Sequence, residues 1–246
     1  MPIPRTGRPF PWQVEARLEQ SSERNPDFET TRFQVVLRDA KGKEVETPEV
    51  VLELDGTPLD YAVAGGNYYD RHPRYRLRGD DGFRFAPDTT YELAARRGGE
   101  APLPIARIRT PKSIGFENLR VPAAHPGGEE LEIGWTGLAQ PAELLVYRTL
   151  AFTDENGSHG FIEGGPDGDD AFRRRIGSRG LPLPDGRTTI PASYFEPVDG
   201  KAVASIRLEL TLAGEVRFLC PVLPPSTLEA VRRLALPVDI ADLRGR

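Results

Sequence analysis

The sequence of 246 residues contains only one cysteine, one methionine, two tryptophans and three histidines. The single cysteine, Cys220, excludes an intrachain disulfide and any zinc site made of several cysteines. No stretch approaches the roughly 18 consecutive apolar residues of a membrane-spanning helix, so we predict no membrane span. Positive charge is not in excess either, since 32 Lys and Arg residues stand against 37 Asp and Glu residues. The net charge of −5 disfavours a nucleic-acid partner, which generally needs a basic surface.

Glycine and proline, in contrast, are abundant, with 25 and 24 residues, and this abundance argues against a bundle of long helices. Between the turns that they predict, short apolar runs alternate with polar residues, as at Phe33, Val35 and Leu37. Alternation with a period of two residues is typical of β-strands that bury one face. We therefore predict an all-β fold with antiparallel sheets.

Two groups of such runs predict two tandem β-sandwich domains. About seven runs fill residues 1–111, which is the spacing expected for a sandwich. Pro111 cannot continue a central strand, so we place a boundary there and assign residues 112–246 to the second domain. Residues 152–187 have no strand pattern and are predicted to form a long insertion in the second domain.

The C-terminal segment combines two signals. Ser226 and Glu229 have the spacing of a capping box, which predicts a short helix over residues 226–233. Leu236, Val238 and Ile240 then alternate as in an outer strand, where Pro237 is tolerated only at an edge. We predict the helix first and the strand after it.

Two short blocks resemble fibronectin type III and related immunoglobulin-like domains. Phe85, Pro87 and Tyr91 are similar to the segment that enters strand F, where a tyrosine hydroxyl bonds back to the preceding loop. Trp135 and Tyr147 are similar to the strand B tryptophan and strand C tyrosine of that family, in which a large ring fills the gap between two sheets. The resemblance implies tandem Ig/FnIII-like sandwiches of the kind found in bacterial surface proteins or lipoproteins. It implies binding, adhesion or spacing more often than catalysis.

A binding surface is predicted from five residues near the middle of the first domain. Arg74, Arg76 and Arg78 alternate on one face of a predicted strand, and Tyr68 and Tyr69 stand in the loop before it. Guanidinium groups pair with carboxylate or sulfate groups, and tyrosine rings stack on sugar rings or on a protein partner. The alternation leaves only one of the two tyrosines facing outward. The competing interpretation is that the arginines merely keep the sheet soluble and protect its edges.

Arg107 and Arg109 repeat the same alternation on the last strand of the first domain. If the two strands are neighbours, the five arginines form one stripe.

A weak calcium site is the metal hypothesis for the insertion. Asp167, Asp169 and Asp170 cluster there, and hard cations take carboxylate and carbonyl oxygens. An EF-hand loop starting at Asp154 is excluded, because its sixth position is His159 rather than glycine. The alternative is a solvated acidic loop without any ion.

No catalytic motif is found, and we predict that the protein is not an enzyme and needs no cofactor other than the weak calcium. The histidines His72, His125 and His159 fall in separate predicted loops, without the spacing that aims two rings at one metal. Cys220 alternates with Phe218 and is predicted to be a buried structural thiol rather than a nucleophile.

The leading hypothesis is a non-enzymatic binding or scaffold module that engages a protein or glycan partner through its loops. One alternative is a carbohydrate-active accessory domain or a hydrolase that uses carboxylates of residues 152–187. Another is a structural spacer or assembly subunit that associates through an exposed edge strand. The sequence leaves the oligomeric state open.

The cellular compartment depends on where the natural chain begins. An extracytoplasmic location, in the periplasm or at the cell surface, is favoured if a leader has been removed, and a cytoplasmic one otherwise.

Overall fold

The structure, a computed structural model, describes residues 10–23, 29–64, 72–78, 86–138, 142–153, 159–163, 172–176, 185–198 and 200–240. In chain order its strands are β1 (Gln13–Glu23), β2 (Glu29–Arg38), β3 (Val50–Leu54), β4 (Thr57–Pro58), β5 (Asp60–Ala64), β6 (His72–Arg78), β7 (Thr90–Arg97), β8 (Leu103–Arg109), β9 (Leu119–Arg120), β10 (Ala124–His125), β11 (Leu131–Thr136), β12 (Ala142–Thr153), β13 (His159–Glu163), β14 (Phe172–Ile176), β15 (Asp185–Ile190), β16 (Ala202–Ala213), β17 (Glu215–Phe218) and β18 (Thr227–Ile240). The described helices are two short 3-10 turns, Phe116–Asn118 and Ala192–Phe195. The prediction of an all-β chain is confirmed.

Two compact units make up the chain, and each is discontinuous in sequence. Unit 1 comprises Met1–Gln20, Thr30–Lys112 and Ala213–Arg232. Unit 2 comprises Ser21–Glu29, Ser113–Leu212 and Arg233–Arg246. The division into tandem β-sandwich domains at residues 1–111 and 112–246 stays a prediction.

Unit 1 is a two-layered sandwich. One layer has the strand order β1-β2-β6-β5, with the beginning of β18 beside β1, and the other has the order β17-β8-β7-β3-β4. Alternate residues of both layers point inward, because successive side chains of a strand face opposite sides. Phe33 and Val35 from the first layer and Leu52, Leu93 and Ile108 from the second are all fully buried in one core.

Unit 2 repeats this two-layered plan with different strands. In its larger layer, β12 pairs with β16 on one edge and with β13 and β14 on the other, while β10 pairs in parallel with the end of β18. The smaller layer has the order β15-β11-β9. Trp135 of β11 lies in the core with Leu144 and Leu208, so its predicted position between two sheets is confirmed.

Tyr147 does not fill the gap between the sheets, contrary to the expectation from the family resemblance. Its neighbours Leu144 and Val146 on β12 belong to the core of unit 2, and alternation directs Tyr147 to the other face. There the guanidinium of Arg207, its partner across β16, lies 4.5 Å from the centre of its ring. The ring is therefore buried by a cation–π contact and not by the opposing sheet.

The helix predicted over residues 226–233 is wrong, because these residues form the first half of strand β18. The Ser226 hydroxyl accepts a hydrogen bond from the Val14 N–H, at 2.9 Å, and donates one to the Leu223 carbonyl. It is therefore occupied by a distant strand and does not cap a helix. The strand predicted from Leu236 onward is correct.

The segment 152–187 contains strands where none was predicted. The backbone of β13 pairs with residues 149–153 of β12, and that of β14 pairs with residues 142–146. Main-chain pairing along one edge of a long strand requires no apolar alternation, so the glycine-, aspartate- and arginine-rich sequence gave no strand signal.

Candidate binding surface

Arg74 and Arg76 of β6 lie on the outer face of the first layer of unit 1. Between them Tyr75 and Leu77 are buried in the core, which directs Arg74 and Arg76 to the opposite side, where both are half-buried. On β2, Gln34 is the register partner of Arg76. On β5, Arg74 and Arg76 are flanked by Ala62 and Asp60. The third predicted residue, Arg78, has Arg32 as its backbone partner.

On the neighbouring strands of this layer, arginines are paired with carboxylates. The Glu19 carboxylate, which is only 11% exposed, accepts hydrogen bonds from Arg17 at 3.0 Å and from Arg32 at 3.3 Å. Arg17 also contacts Glu229 at 3.3 Å. Charges of both signs thus alternate from β18 through β1 to β2, which balances the sheet locally.

Arg74 and Arg76 depart from this pattern. Neither forms an ion pair with any residue that the structure describes. The Nε of Arg74 is buried and has no hydrogen-bond acceptor among the described residues. A buried donor without an acceptor is costly, and an external anion would satisfy it. These two side chains are therefore the part of the predicted surface best arranged to hold an anionic ligand.

The stripe of five arginines is not formed. β6 pairs with β2 and β5, whereas β8, which carries Arg107 and Arg109, pairs with β7 and β17 in the other layer of unit 1. Alternation gave the correct outward direction of Arg107 and Arg109, both of which are exposed. Their strand order is set by tertiary pairing, which local alternation does not contain.

A shallow groove lies beside Arg107 and Arg109 on that second layer. It has a volume of about 370 Å³ and is lined by Thr90, Arg107, Arg109, Glu215, Val216 and Arg217. Arg107 pairs with Glu92 at 3.4 Å, and Arg109 pairs with Asp88 at 2.8 Å and with Glu215 at 3.8 Å. The groove is therefore lined by two arginines that form ion pairs, Arg107 and Arg109, and by Arg217 on the edge strand, which forms no ion pair with any described residue.

Several predicted site residues lie outside the described residues. These are the tyrosines Tyr68 and Tyr69 and the calcium candidates Asp167, Asp169 and Asp170. Within the described ranges, no three His, Cys, Asp or Glu side chains come together in a way that would hold a metal ion. The calcium hypothesis stays a prediction.

The histidines lie in strands rather than in the loops predicted for them, since His72 begins β6 and His159 begins β13. His125, in β10, is buried and stacks on Phe195 with 4.7 Å between ring centres. Its Nδ1 accepts a hydrogen bond from the Gly127 N–H at 3.1 Å. An imidazole held in this way has a structural role in the core of unit 2.

Cys220 is a free thiol buried in the core of unit 1, so the prediction of a structural thiol is confirmed. Burial raises the pKa of the Cys220 thiol above its ordinary value. A thiol with a raised pKa carries little thiolate at neutral pH and is a poor nucleophile.

Tyr91 forms the backward hydrogen bond expected from the family resemblance. Its hydroxyl accepts from the N–H of Ala86, five residues earlier, at 3.0 Å. The bond ties the start of β7 to the turn before it, as in a tyrosine corner.

Tyr75 anchors the middle of β6. Its hydroxyl donates to the Thr47 carbonyl at 2.6 Å and lies 2.8 Å from the Thr47 hydroxyl and 3.1 Å from the Val50 carbonyl. Burial is the main cause that raises the pKa of Tyr75 to about 12. The anchor fixes which face of β6 points inward and therefore holds Arg74 and Arg76 outward.

Replacing Tyr75 with phenylalanine is expected to destabilise the protein by about 1–3 kcal/mol, because buried polar groups lose their partner. The stability of the variant should also depend less on pH above 10 than the stability of the wild type does. In the unfolded chain Tyr75 loses its proton near pH 10, but in the folded chain only near pH 12, so its contribution to stability is complete below pH 10 and is lost towards pH 12.

Urea unfolding at several pH values between 8 and 12 measures this difference. The gap in unfolding free energy between the wild type and Tyr75→Phe should narrow as the pH rises above 10. A gap that stays constant over this range would contradict the assigned role of the hydroxyl.

Arg32, which pairs with Glu19, borders the candidate surface and was not predicted from the sequence. It has the outward parity of β2, because its neighbours Phe33, Val35 and Leu37 are buried. The period-two alternation of β2 was therefore enough to predict that the Arg32 side chain points outward. Its position beside Arg78 could not be predicted in this way, because it comes from the register between β2 and β6.

Fold and surface together define a protein of two β-sandwich units with an arginine-bearing sheet face. No protein-family profile and no curated protein sequence matches the chain. Among solved structures, the interferon gamma receptor alpha chain of chicken is similar at 11% identity, covering 90% of this chain and 97% of the receptor chain, with a TM-score of 0.21. InvD of Yersinia pseudotuberculosis is similar at 10% identity, covering 86% of this chain and 70% of InvD, with a TM-score of 0.22. Likenesses with TM-scores of this size carry no argument about fold or function.

Within the described part of the chain, no helix has the length and apolar composition needed to cross a membrane.

Proposed function

We propose that this protein is a non-enzymatic binding or scaffold module that holds an acidic protein or glycan partner on the outer face of β6. The observation that carries this proposal is the contrast within one sheet. Arg17 and Arg32 are paired with Glu19, whereas Arg74 and Arg76 have no carboxylate partner among the described residues. Half-buried arginines that form no ion pair within the protein are suited to the carboxylate or sulfate groups of a partner.

The spacing of the three arginines of β6 fits an extended anionic partner. Alternate residues of a strand are about 6.6–6.8 Å apart, so the backbone places Arg74, Arg76 and Arg78 at regular intervals. The Ig/FnIII-like class, a cell-surface setting and the participation of Tyr68 and Tyr69 belong to the same proposal. The backward hydrogen bond of Tyr91 and the core position of Trp135 support the class.

Retention on a sulfated-polysaccharide column, eluted with a salt gradient, tests the proposal. Changing Arg74, Arg76 and Arg78 to serine should lower the salt concentration at which the protein elutes, because fewer counterions are displaced on binding. The matched control changes Arg96, Arg97 and Arg187 to serine. Each of these has a carboxylate partner, at Glu53, Glu49 and Glu132 respectively, and the control removes the same charge.

The control protein is expected to elute close to the wild type. If the wild type is not retained, or if both triple variants shift by the same amount, β6 is not the binding face. Turnover of a polysaccharide by the wild type would instead favour the hydrolase alternative.

A further inference from the structure

We propose that the free edge of strand β17 binds an extended peptide of a partner protein, in which an acidic residue stands between two apolar ones. This inference concerns the second layer of unit 1 and is independent of the function proposed for β6. It rests on the hydrogen-bonding direction of β17, on Val216 and on the charge pattern around Arg217.

The hydrogen-bonding direction of β17 leaves part of its backbone open. β17 is the last strand of its sheet and, among the described strands, pairs only with β8. The Leu219 N–H bonds to the Ile105 carbonyl of β8, while the Gly214 N–H bonds away from β8 to the Ala230 carbonyl. Because these directions alternate along a strand, the N–H and C=O groups of Val216 and Phe218 point away from β8.

An apolar side chain accompanies this open edge. Among the large hydrophobic residues that the structure describes, only Val216 is exposed, at 37%. It has the same parity as Phe218, which packs against the core of unit 1. An added strand with apolar residues opposite these two would extend the core layer over Val216.

The charges on the outer face of this sheet indicate which residue of the bound peptide should stand between its two apolar residues. On the outer face of this sheet, Arg96, Arg107 and Arg109 each contact a carboxylate. Arg217 contacts none among the described residues, and its direct partner across the ladder is another arginine, Arg107. Like charges placed opposite each other are unfavourable in a sheet.

A carboxylate at the facing position of an added strand would give Arg217 the partner that every other arginine on this face has. The open groove beside β17, lined by Arg107, Arg109 and Arg217, leaves room for that side chain. The short length of the exposed edge, from Val216 to Phe218, limits the contact to a short peptide segment.

The test uses the whole protein, labelled with nitrogen-15, and two synthetic peptides with blocked ends. The first peptide has the sequence threonine, valine, glutamate, valine, threonine, and the second has lysine in place of glutamate. Both read the same in either direction, so strand orientation does not affect which residue faces Arg217. Saturable shifts of the Val216 and Phe218 amide signals are expected with the glutamate peptide, which should bind roughly fivefold more tightly than the lysine peptide.

Two variants separate strand addition from non-specific attraction. Arg217→Glu should reverse the preference between the peptides, while the matched charge reversal Arg187→Glu, in unit 2, should leave it unchanged. Val216→Pro removes an N–H that β8 does not use, so the variant should fold, as thermal unfolding can verify, but bind neither peptide.

The proposal is overturned if the amide signals of β17 do not shift at millimolar peptide, or if Val216→Pro binds as the wild type does. It is also overturned if these signals shift with protein concentration alone, because the occupant of the edge would then be a second copy of the chain.

Discussion

Replacing Trp135 with alanine is expected to lower the stability of unit 2 by about 3–5 kcal/mol, as for other large aromatic residues removed from a core. The ring is 5% exposed and packs between the two layers of the unit. It also lies directly on Gly186, its partner across β15, where an added Cβ would come within 2.5 Å of the ring. With so little free space around it, removal of the ring leaves a cavity that backbone movement fills only in part.

Scanning calorimetry measures this loss, and the other tryptophan provides the comparison. Trp12 is only half-buried and packs edge-on against Phe10 at the border of the unit 1 core. Trp12→Ala should therefore cost less than Trp135→Ala, and Trp135→Phe should recover much of the lost packing. Equal losses for the two alanine variants would contradict the central position of Trp135.

The second large effect is expected from Gly214→Ala, with a cost of about 3 kcal/mol, at the upper end of the range for overpacking. A Cβ at this position would collide with the carbonyl oxygen of Arg109 and lie 3.0 Å from the Cβ of Ala230. The obstacle is main chain and a short side chain, so no rotamer change relieves it. The hydrogen bond of 2.7 Å from the Gly214 N–H to the Ala230 carbonyl would also be distorted.

Gly99→Ala is the matched control for Gly214→Ala, because nothing lies within 4 Å of a Cβ built at Gly99. It should change the stability of the protein by less than about 1 kcal/mol. The two variants are compared by urea unfolding. If Gly214→Ala is as stable as Gly99→Ala, the close approach at Arg109 does not exist in solution.

Gly214→Ala should also affect peptide binding at β17. The strand begins at the next residue, so a shift of the main chain at Gly214 moves Val216 relative to β8. If the Gly214→Ala protein still unfolds cooperatively but no longer binds the peptide, the main chain at Gly214 determines the position of the β17 edge.

Local sequence signals predicted the direction of side chains but not the partners of strands. The alternation around Phe33, Tyr75 and Ile108 correctly gave the inner face of three strands, because it depends only on the period of a strand. The hydrogen bond from Ala86 to Tyr91 was predictable for a similar reason, since it spans five residues. Strand order depends instead on contacts between distant parts of the chain, so alternation left open whether Arg107 and Arg109 lie beside β6, and they are found in the other layer.

The C-terminal segment shows how a distant contact overrides a local signal. Ser226 and Glu229 have the spacing of a capping box, but the Ser226 hydroxyl bonds to Val14, 212 residues away in the sequence. Glu229 contacts Arg17 on β1 instead of closing a helical turn. No local pattern contains these partners, and the free energy of pairing along β1 exceeds the small preference for a capped helix.

For the candidate surface as well, the sequence predicted the direction of side chains but not their partners. Arg74 and Arg76 were recognised from alternation alone, and their outward direction is correct. Their lack of an ion pair with any described residue was not predictable, because it depends on which side chains the pairing of β6 with β2 and β5 places around them.

The discontinuous composition of unit 1 has a consequence for biosynthesis. The Gln13 side chain bonds to the Pro224 carbonyl over a separation of 211 residues, and Ala213–Arg232 are part of the unit. A ribosome therefore releases most of Ser113–Leu212, the main segment of unit 2, before unit 1 has all its strands. Such long-range closure is slow, so the nascent N-terminal strands remain incomplete, with exposed edges, until the last part of the described chain emerges.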